Sequence, residues 1–475
     1  SNIPYGRIAI PDQQMQHLFD ASVRTLYQNR DRVDGFPQFQ PGSTVYRGLW
    51  IHDGVYYIEA AAILGDTMSA RLATEGLFQF QQPGGKVQVM WPVEMQRESP
   101  MLAWVMGRYA RLANNRDWLK AHWGKVVAAM DYTRQLRQQT MTDPASPYYG
   151  LMPPGFVDGG ISGLTADYCS VYWSLIGIDS GVDMAGWLGE TEKQKEWRAL
   201  YDDLLQSFRT AARRDSRRDQ FGSLYLPVRV ADTTTTDVPQ RAQWAICEPI
   251  GLSTMFPPDD PLARGSLAVI DSTCIQGLPS TFGWMTGGVG VWFAPLYGVA
   301  HFALGNVEKA IDVLYAFANH ATPHGAWAEE QMPKGVSSRT TGDFPTTSAT
   351  ACMLRSVLFF LAFERENSLE LLRGLPKEWL APGSVVKARD LMTKFGRITF
   401  EIAVSKDGNS GKIVLTMVGN GDGDDSMAQY TDSQNIAELY LTSFKKAGYR
   451  DKNGNELPDH VRAQWNQRFE LEFRR

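Results

Sequence analysis

The sequence is poor in the features that mark several large classes of protein. It holds four cysteines in 475 residues, Cys169, Cys247, Cys274 and Cys352, and no two form a CxxC pair. Each lies in an apolar run, so they read as buried thiols, not as a disulfide framework or a zinc site. No apolar run reaches the length that a bilayer-spanning helix needs. No leader peptide is visible in a chain that opens at Ser1-Asn2. The compartment stays open, with a periplasmic or secreted location preferred to a cytoplasmic one.

Basic charge is lacking too. Lys and Arg total 47 against 52 Asp and Glu, a net charge of −5, so no positive field exists to hold nucleic acid. There is no Gly-x-Ser-x-Gly elbow and no phosphate loop. His320 and His324 stand four apart as zinc-binding helices require, but Pro323 lies between them and no HExxH occurs. Gly287-Gly288-Val289-Gly290 lacks a dinucleotide-binding context. Asn420-Gly421-Asp422-Gly423-Asp424-Asp425 hints at calcium, yet no Glu stands where a calcium loop places its bidentate ligand. No metal or cofactor is expected, and neither a nucleic-acid nor a membrane partner.

What the chain does have is aromatic and helical. It carries 14 Trp, 18 Tyr and 22 Phe. Trp and Tyr suit a carbohydrate cleft, because sugar CH faces pack on rings while hydroxyls hydrogen-bond; core packing accounts for most of them. Apolar residues recur at helical spacing in about twelve runs, near 12–29, 55–64, 67–81, 101–113, 117–138, 167–188, 190–212, 241–254, 262–275, 291–304, 307–318 and 346–364. Short turns such as Leu64-Gly65-Asp66 alternate with long Gly/Pro-rich loops. An even helix number with paired loops favours a closed toroid of six hairpins, the long loops gathered at one end. Beyond residue 375 the period changes to two, at 398–404 and 412–417, with the turn Asp407-Gly408-Asn409 between. The expected organisation is mainly α: an (α/α)6 toroid over residues 1–375 and a small β-rich domain over 376–475. Residues 434–447 read as an added helix and 469–473 as a last strand.

The stretch with most chemical promise is Gly325-Ala326-Trp327-Ala328-Glu329-Glu330-Gln331-Met332-Pro333, bracketed by helix breakers and so read as a loop. Adjacent side chains of an extended segment point opposite ways, so only one of Glu329 and Glu330 is expected to face a given site. Three more acids sit on loops beside helices: Asp53, Glu98 and Asp158. Asp53, after Trp50-Ile51-His52, is either a helix cap or a grip on sugar hydroxyls with Trp50 as platform. Glu98 suits a helix dipole equally well. Asp158 lies in the long segment 150–160, and long loops in compact domains are usually functional; Asp167 is its rival. Trp50, Trp244, Trp284, Trp292 and Trp327 are candidate platforms.

These landmarks resemble, in order along the chain, those of the six-hairpin glycosidases, which include glucoamylases, trehalases and bacterial α-rhamnosidases. Trp50-Ile51-His52-Asp53 is similar to their Trp-x-Arg-Asp segment, with His52 in place of Arg. Gln96-Arg97-Glu98-Ser99-Pro100 is similar to their Gln-x-Asp-Gly-Pro helix start. Asp158 falls where their general acid lies, and Glu330-Gln331 looks like the Glu-Gln that carries the base. The resemblance spans roughly residues 46–379. It implies a glycoside hydrolase, inverting and exo-acting, with Asp158 and Glu330 catalytic. Trp50, His52, Asp53, Glu98, Trp284, Trp327 and Glu329 would bind the carbohydrate. Inversion requires carboxyls about 6.5–9.5 Å apart, with room for a water. The acid needs a raised pKa, through desolvation or a neighbouring carboxylate such as Asp167. Two other readings stay open: a toroid-fold polysaccharide lyase using His52, Tyr56, Tyr57 or Arg47, and a non-catalytic glycan-binding relative.

Overall fold

The three-dimensional structure is a computed structural model that describes residues 3–33, 35–89, 93–157, 161, 163–234, 241–420 and 436–475. Its helices form two concentric sets. The inner helices are α2 (Ile51–Ile63), α4 (Glu98–Leu112), α7 (Tyr168–Leu188), α9 (Cys247–Leu252), α11 (Ala294–Ala303) and α13 (Thr347–Leu361). Each packs on the next, and α13 packs back on α2, so the ring closes. Outside it lie α1 (Gln13–Gln28) against α13, α3 (Thr67–Leu77) against α2, and α6 (Trp123–Gln139) against α4. Next come α8 (Thr191–Asp215) against α7, α10 (Pro261–Asp271) against the turn that opens α9, and α12 (Val307–Asn319) against α11. A short α5 (Arg116–Ala121) precedes α6. The fold is the six-hairpin toroid expected from the alternating loops.

Composition explains which helix goes where. Every residue of α13 is buried, and α2 buries Val55 through Ile63 without a gap. A helix with apolar residues on every face must be covered on all sides. Of the few charged side chains here, Glu59 of α2 and Arg355 of α13 pair with one another. The outer helices are two-faced: α8 buries only Trp197, Tyr201, Leu204, Phe208, Ala211 and Ala212 of its 25 residues. Caps set the boundaries. Asp12, Asp66 and Asp260 each accept a first-turn backbone N–H, of Met15, Ser69 and both Leu262 and Ala263.

Two helical expectations within the ring break. The run at 241–254 is a 3₁₀ turn, Gln243–Ile246, followed by the six-residue α9. Pro249 sits third in α9, inside the first turn, where its missing N–H costs nothing. The run at 117–138 divides at His122, whose ring Nδ1 meets the Trp118 carbonyl at 2.8 Å.

The sheets gather mostly after α13. A six-stranded antiparallel sheet runs in the order Ile8–Ala9, Val385–Thr393, Gly396–Val404, Ser410–Gly419, Arg468–Arg474 and Arg450–Asp451. Its central hairpin is the period-two pair read from the sequence, with Val404 opposite Gly411. A four-stranded sheet orders Ala362–Glu364, Ser368–Leu371, Ile436–Tyr440 and His460–Ala463. The first strand of the chain thus joins a sheet built almost 400 residues later, with Ile8 opposite Ala388. Where 434–447 read as one helix, the described part is the strand Ile436–Tyr440 and then α14 (Thr442–Lys446). The buried period-two side chains Ala437 and Leu439 favour the strand. Of the acidic turn at 420–425, residues 421–425 lie outside the described residues. No described helix is long and apolar enough to cross a membrane.

Candidate active site

The N-terminal ends of α2 and α13, with the segments leading into α9 and α11, surround a narrow pocket of about 50 Å³. Trp50, Trp244, Trp284 and Trp292 wall it, together with Tyr46, and the carboxylates of Asp53, Glu329 and Glu330 border it. Trp244 and Trp292 stand edge to face at 4.7 Å, and Tyr46 stands edge to face with Trp50 at 5.2 Å. Trp284 forms the lip, with 47% of its surface exposed. Such rings present CH-binding faces, and the carboxylates present hydroxyl acceptors.

Glu330 is held most tightly. The segment read as a loop contains a two-residue strand, Glu330–Gln331, at the centre of a small sheet between Val289–Gly290 and Thr340–Thr341. Its carboxylate is buried, Oε1 accepting the Trp284 amide at 2.8 Å and Oε2 the Met285 amide at 2.7 Å. Gly283 makes this possible, since a β-carbon there would lie 1.4 Å from Oε1. Burial pushes the Glu330 carboxyl above the usual glutamate range, against the two amides and the Arg241 charge. A carboxylate offers about four lone-pair sites, so two amide bonds leave acceptor capacity for a water.

Both residues of the acidic pair line the pocket, as the resemblance implied, although strict extended alternation would have turned one of them away. The reason is local: regular strand geometry begins only at Glu330, and the Glu329 carbonyl accepts the Trp292 amide at 3.3 Å. Asp53 is third in α2, inside the first turn, and Trp50 is the cap residue. Its Oδ1 accepts the Ser348 hydroxyl at 2.7 Å, and Ser348 in turn meets the Tyr57 hydroxyl at 2.6 Å.

The remaining candidates lie elsewhere. His52 points below the floor, stacked on Trp244 at 5.7 Å, and its Nε2 meets Glu248 Oε1 at 2.6 Å. Glu98 is buried at the start of α4, accepting the Val89 amide, and does not border the pocket. Trp327 is sealed in the core, stacked on Phe317 at 4.5 Å and donating to its carbonyl, so it offers no face to a ligand. Asp167 caps α7, accepting the Ser170 amide at 2.7 Å and hydroxyl at 2.9 Å. Asp158 lies outside the described residues. Tyr56 and Tyr57 are fully buried, and burial pushes both hydroxyls far up. Arg47 is exposed and paired with Asp31.

Sequence reading missed Ser348, Asp343 and Glu248. Glu248 is a buried carboxylate that accepts from Tyr56 and, at 2.9 Å, from the Trp173 indole. Burial raises its carboxyl, but the His52 and Tyr56 contacts outweigh this and hold it low. An acid inside the apolar run 245–250 was the available signal. Among the described residues no group of three or more His, Cys, Asp or Glu could hold a metal.

No protein-family model matches the sequence. No curated protein matches it either. Solved structures do. An alpha-L-rhamnosidase from Dictyoglumus thermophilum matches with a TM-score of 0.61 at 11% identity, over 98% of this chain and 50% of that one. A glycosidase variant in complex with glucose matches at 0.54 and 14% identity, over 73% of this chain and 97% of that one. A rhamnosidase from Klebsiella oxytoca with rhamnose bound matches at 0.52 and 14% identity, over 75% and 66%. This chain therefore spans about half the length of the Dictyoglumus enzyme. At such identities the likeness is one of fold, a helical toroid that this chain shares with those glycosidases and rhamnosidases.

Proposed function

We propose that the protein is a glycoside hydrolase whose reacting sugar enters the Trp-walled pocket at the N-terminal end of the ring. Glu330 is the general base and Asp158, on the segment between α6 and α7, the general acid. Residues 1–375 form the catalytic unit and 376–475 a β-rich accessory unit. The observation that carries the reading is the Glu330 carboxylate, fixed by two backbone amides within a pocket that Asp53 and four Trp rings border. Fixing a base through backbone donors holds its orientation while leaving it ionised to activate water. Exo action, like inversion, is what the family resemblance implies. Bound glucose and rhamnose in the structural neighbours put glucosides and rhamnosides at the head of the substrate panel. The lyase reading loses support because its candidate bases His52, Tyr56 and Tyr57 are buried away from the pocket.

The test is a glycan screen with the wild type, Glu330→Gln and Asp158→Asn. Either substitution removes the ionisable group and keeps its shape. At least a hundredfold loss of kcat is expected, about 2.7 kcal/mol of barrier. The acid variant should recover activity on aryl glycosides, whose leaving groups need little protonation, and the base variant should not. Full activity in Glu330→Gln overturns the assignment of the base.

A further inference from the structure

The pocket walls come from two distant stretches. Pro41, Tyr46, Trp50 and Asp53 supply one side, and Glu329, Glu330, Thr346 and Ser348 the other. One carboxylate outside the pocket joins them. Asp343 is fully buried. Its Oδ1 accepts the Thr44 amide at 2.8 Å, the Thr44 hydroxyl at 2.6 Å and the Val45 amide at 2.9 Å; its Oδ2 accepts the Tyr46 amide at 2.5 Å. Its own backbone carbonyl accepts the Glu329 amide at 3.2 Å. A single residue thus touches the turn before Trp50 and the chain that carries the acidic pair. The approach is close: a β-carbon on Gly42 would lie 2.1 Å from the Asp343 carboxyl carbon. Nearby the two stretches are bonded again, the Thr347 amide donating to the Pro41 carbonyl at 2.7 Å.

Four donors on one buried carboxylate favour the ionised form, because a protonated carboxyl turns part of its acceptor capacity into a donor. Burial raises the Asp343 carboxyl, but the bonds from Thr44, Val45 and Tyr46 outweigh it and hold it below the usual aspartate range.

We propose that Asp343 is a positioning residue for substrate binding, tying the Tyr46–Trp50 wall of the pocket to the Glu329–Glu330 wall. The proposal rests on the reading of this pocket as a sugar site. Glu330 has its own anchors in the Trp284 and Met285 amides, so freeing the other wall leaves the base in place. Loosening a wall that contacts ground state and transition state alike raises KM and spares kcat.

The experiment uses the whole chain with Asp343→Asn and Thr44→Val, the latter removing one of the four donors without altering shape. Two readouts are taken: steady-state kinetics on the best glycan of the screen, and amide hydrogen exchange of the 40–50 peptide without any glycan. Asp343→Asn should raise KM roughly tenfold, keep kcat within about threefold, and speed exchange at residues 44–46 roughly tenfold. Thr44→Val should move both readouts the same way by less, which covers the case of a poorly folding Asn variant. Unchanged exchange at 44–46, or a fall in kcat with KM unchanged, overturns the proposal. A wild type inactive on every glycan counts against the functional reading; the exchange measurement then decides the tether by itself.

Discussion

The two ends of the ring treat their carboxylates in opposite ways. At the C-terminal end of the inner helices lies the larger cavity, about 870 Å³, lined by residues of all six. Three of its acids, Glu59, Glu364 and Asp183, are paired with guanidinium groups. Glu59 meets Arg108 at 2.6 Å and Arg355 at 2.5 Å, Arg108 also meets Glu364, and Asp183 accepts both a 2.7 Å and a 2.8 Å bond from Arg111. At the N-terminal end the cavity is far smaller, but Glu330 accepts from backbone amides and Asp53 from a hydroxyl. A carboxylate locked to a guanidinium has its charge and lone pairs committed. The two backbone amides on Glu330 leave its carboxylate acceptor capacity for a ligand. Volume therefore misleads as a guide to chemistry here. Helix polarity contributes to the difference, since helix N-termini favour anions and C-termini favour the Arg108 and Arg111 cations.

The sharpest way to break the comparison is Glu59→Gln. It leaves Arg108 and Arg355 without their shared buried partner, and should cost about 3–5 kcal/mol of unfolding free energy in a denaturant titration. A loss at that end with no change in stability would mean that the pairs are not structural. The complementary change, Glu330→Gln, should appear in catalysis far more than in stability.

Acid titration separates the ends further. Burial raises Glu330, so this base takes up its proton above the ordinary glutamate range, and kcat/KM falls there. At Glu59 burial also raises the carboxyl, but the Arg355 and Arg108 charges outweigh it and the net shift is downward. A lowered folded-state pKa gives stability that is present above the unfolded pKa and lost as pH falls through the folded one. Activity should therefore disappear at a higher pH than helical circular dichroism. Coincident loss of both would contradict the contrast. The smallest effect is expected for Asp179→Asn, which removes a pair with Arg198 whose side chains are 39% and 46% exposed. It should change stability by less than about 1 kcal/mol.

Much of this was legible along the chain. The six-hairpin ring followed from helical periodicity and alternating loop length, because a helix buried on every side, such as α13, leaves few arrangements. Glu330 stood out because helix breakers bracket it. Less legible were features made by approach in space. That Glu329 and Glu330 line one pocket came only from the family resemblance, because extended alternation by itself sends neighbours to opposite faces. Trp327 read as a platform because a ring on a loop and a ring in a core look alike in sequence. Glu248 lay hidden in a run whose apolar neighbours marked it only as buried.

What the sequence determined by itself was the set of elements, their inward faces and the acids that interrupt them, since periodicity and capping act over a few residues. Tertiary structure alone decided that Glu59 received two guanidinium groups, that Glu330 received two backbone amides, and that Asp343 joins two pocket walls some 300 residues apart. The physical reason is that a carboxylate's behaviour depends on the donors within about 3 Å of it, and ring closure brings those donors from any point along the chain.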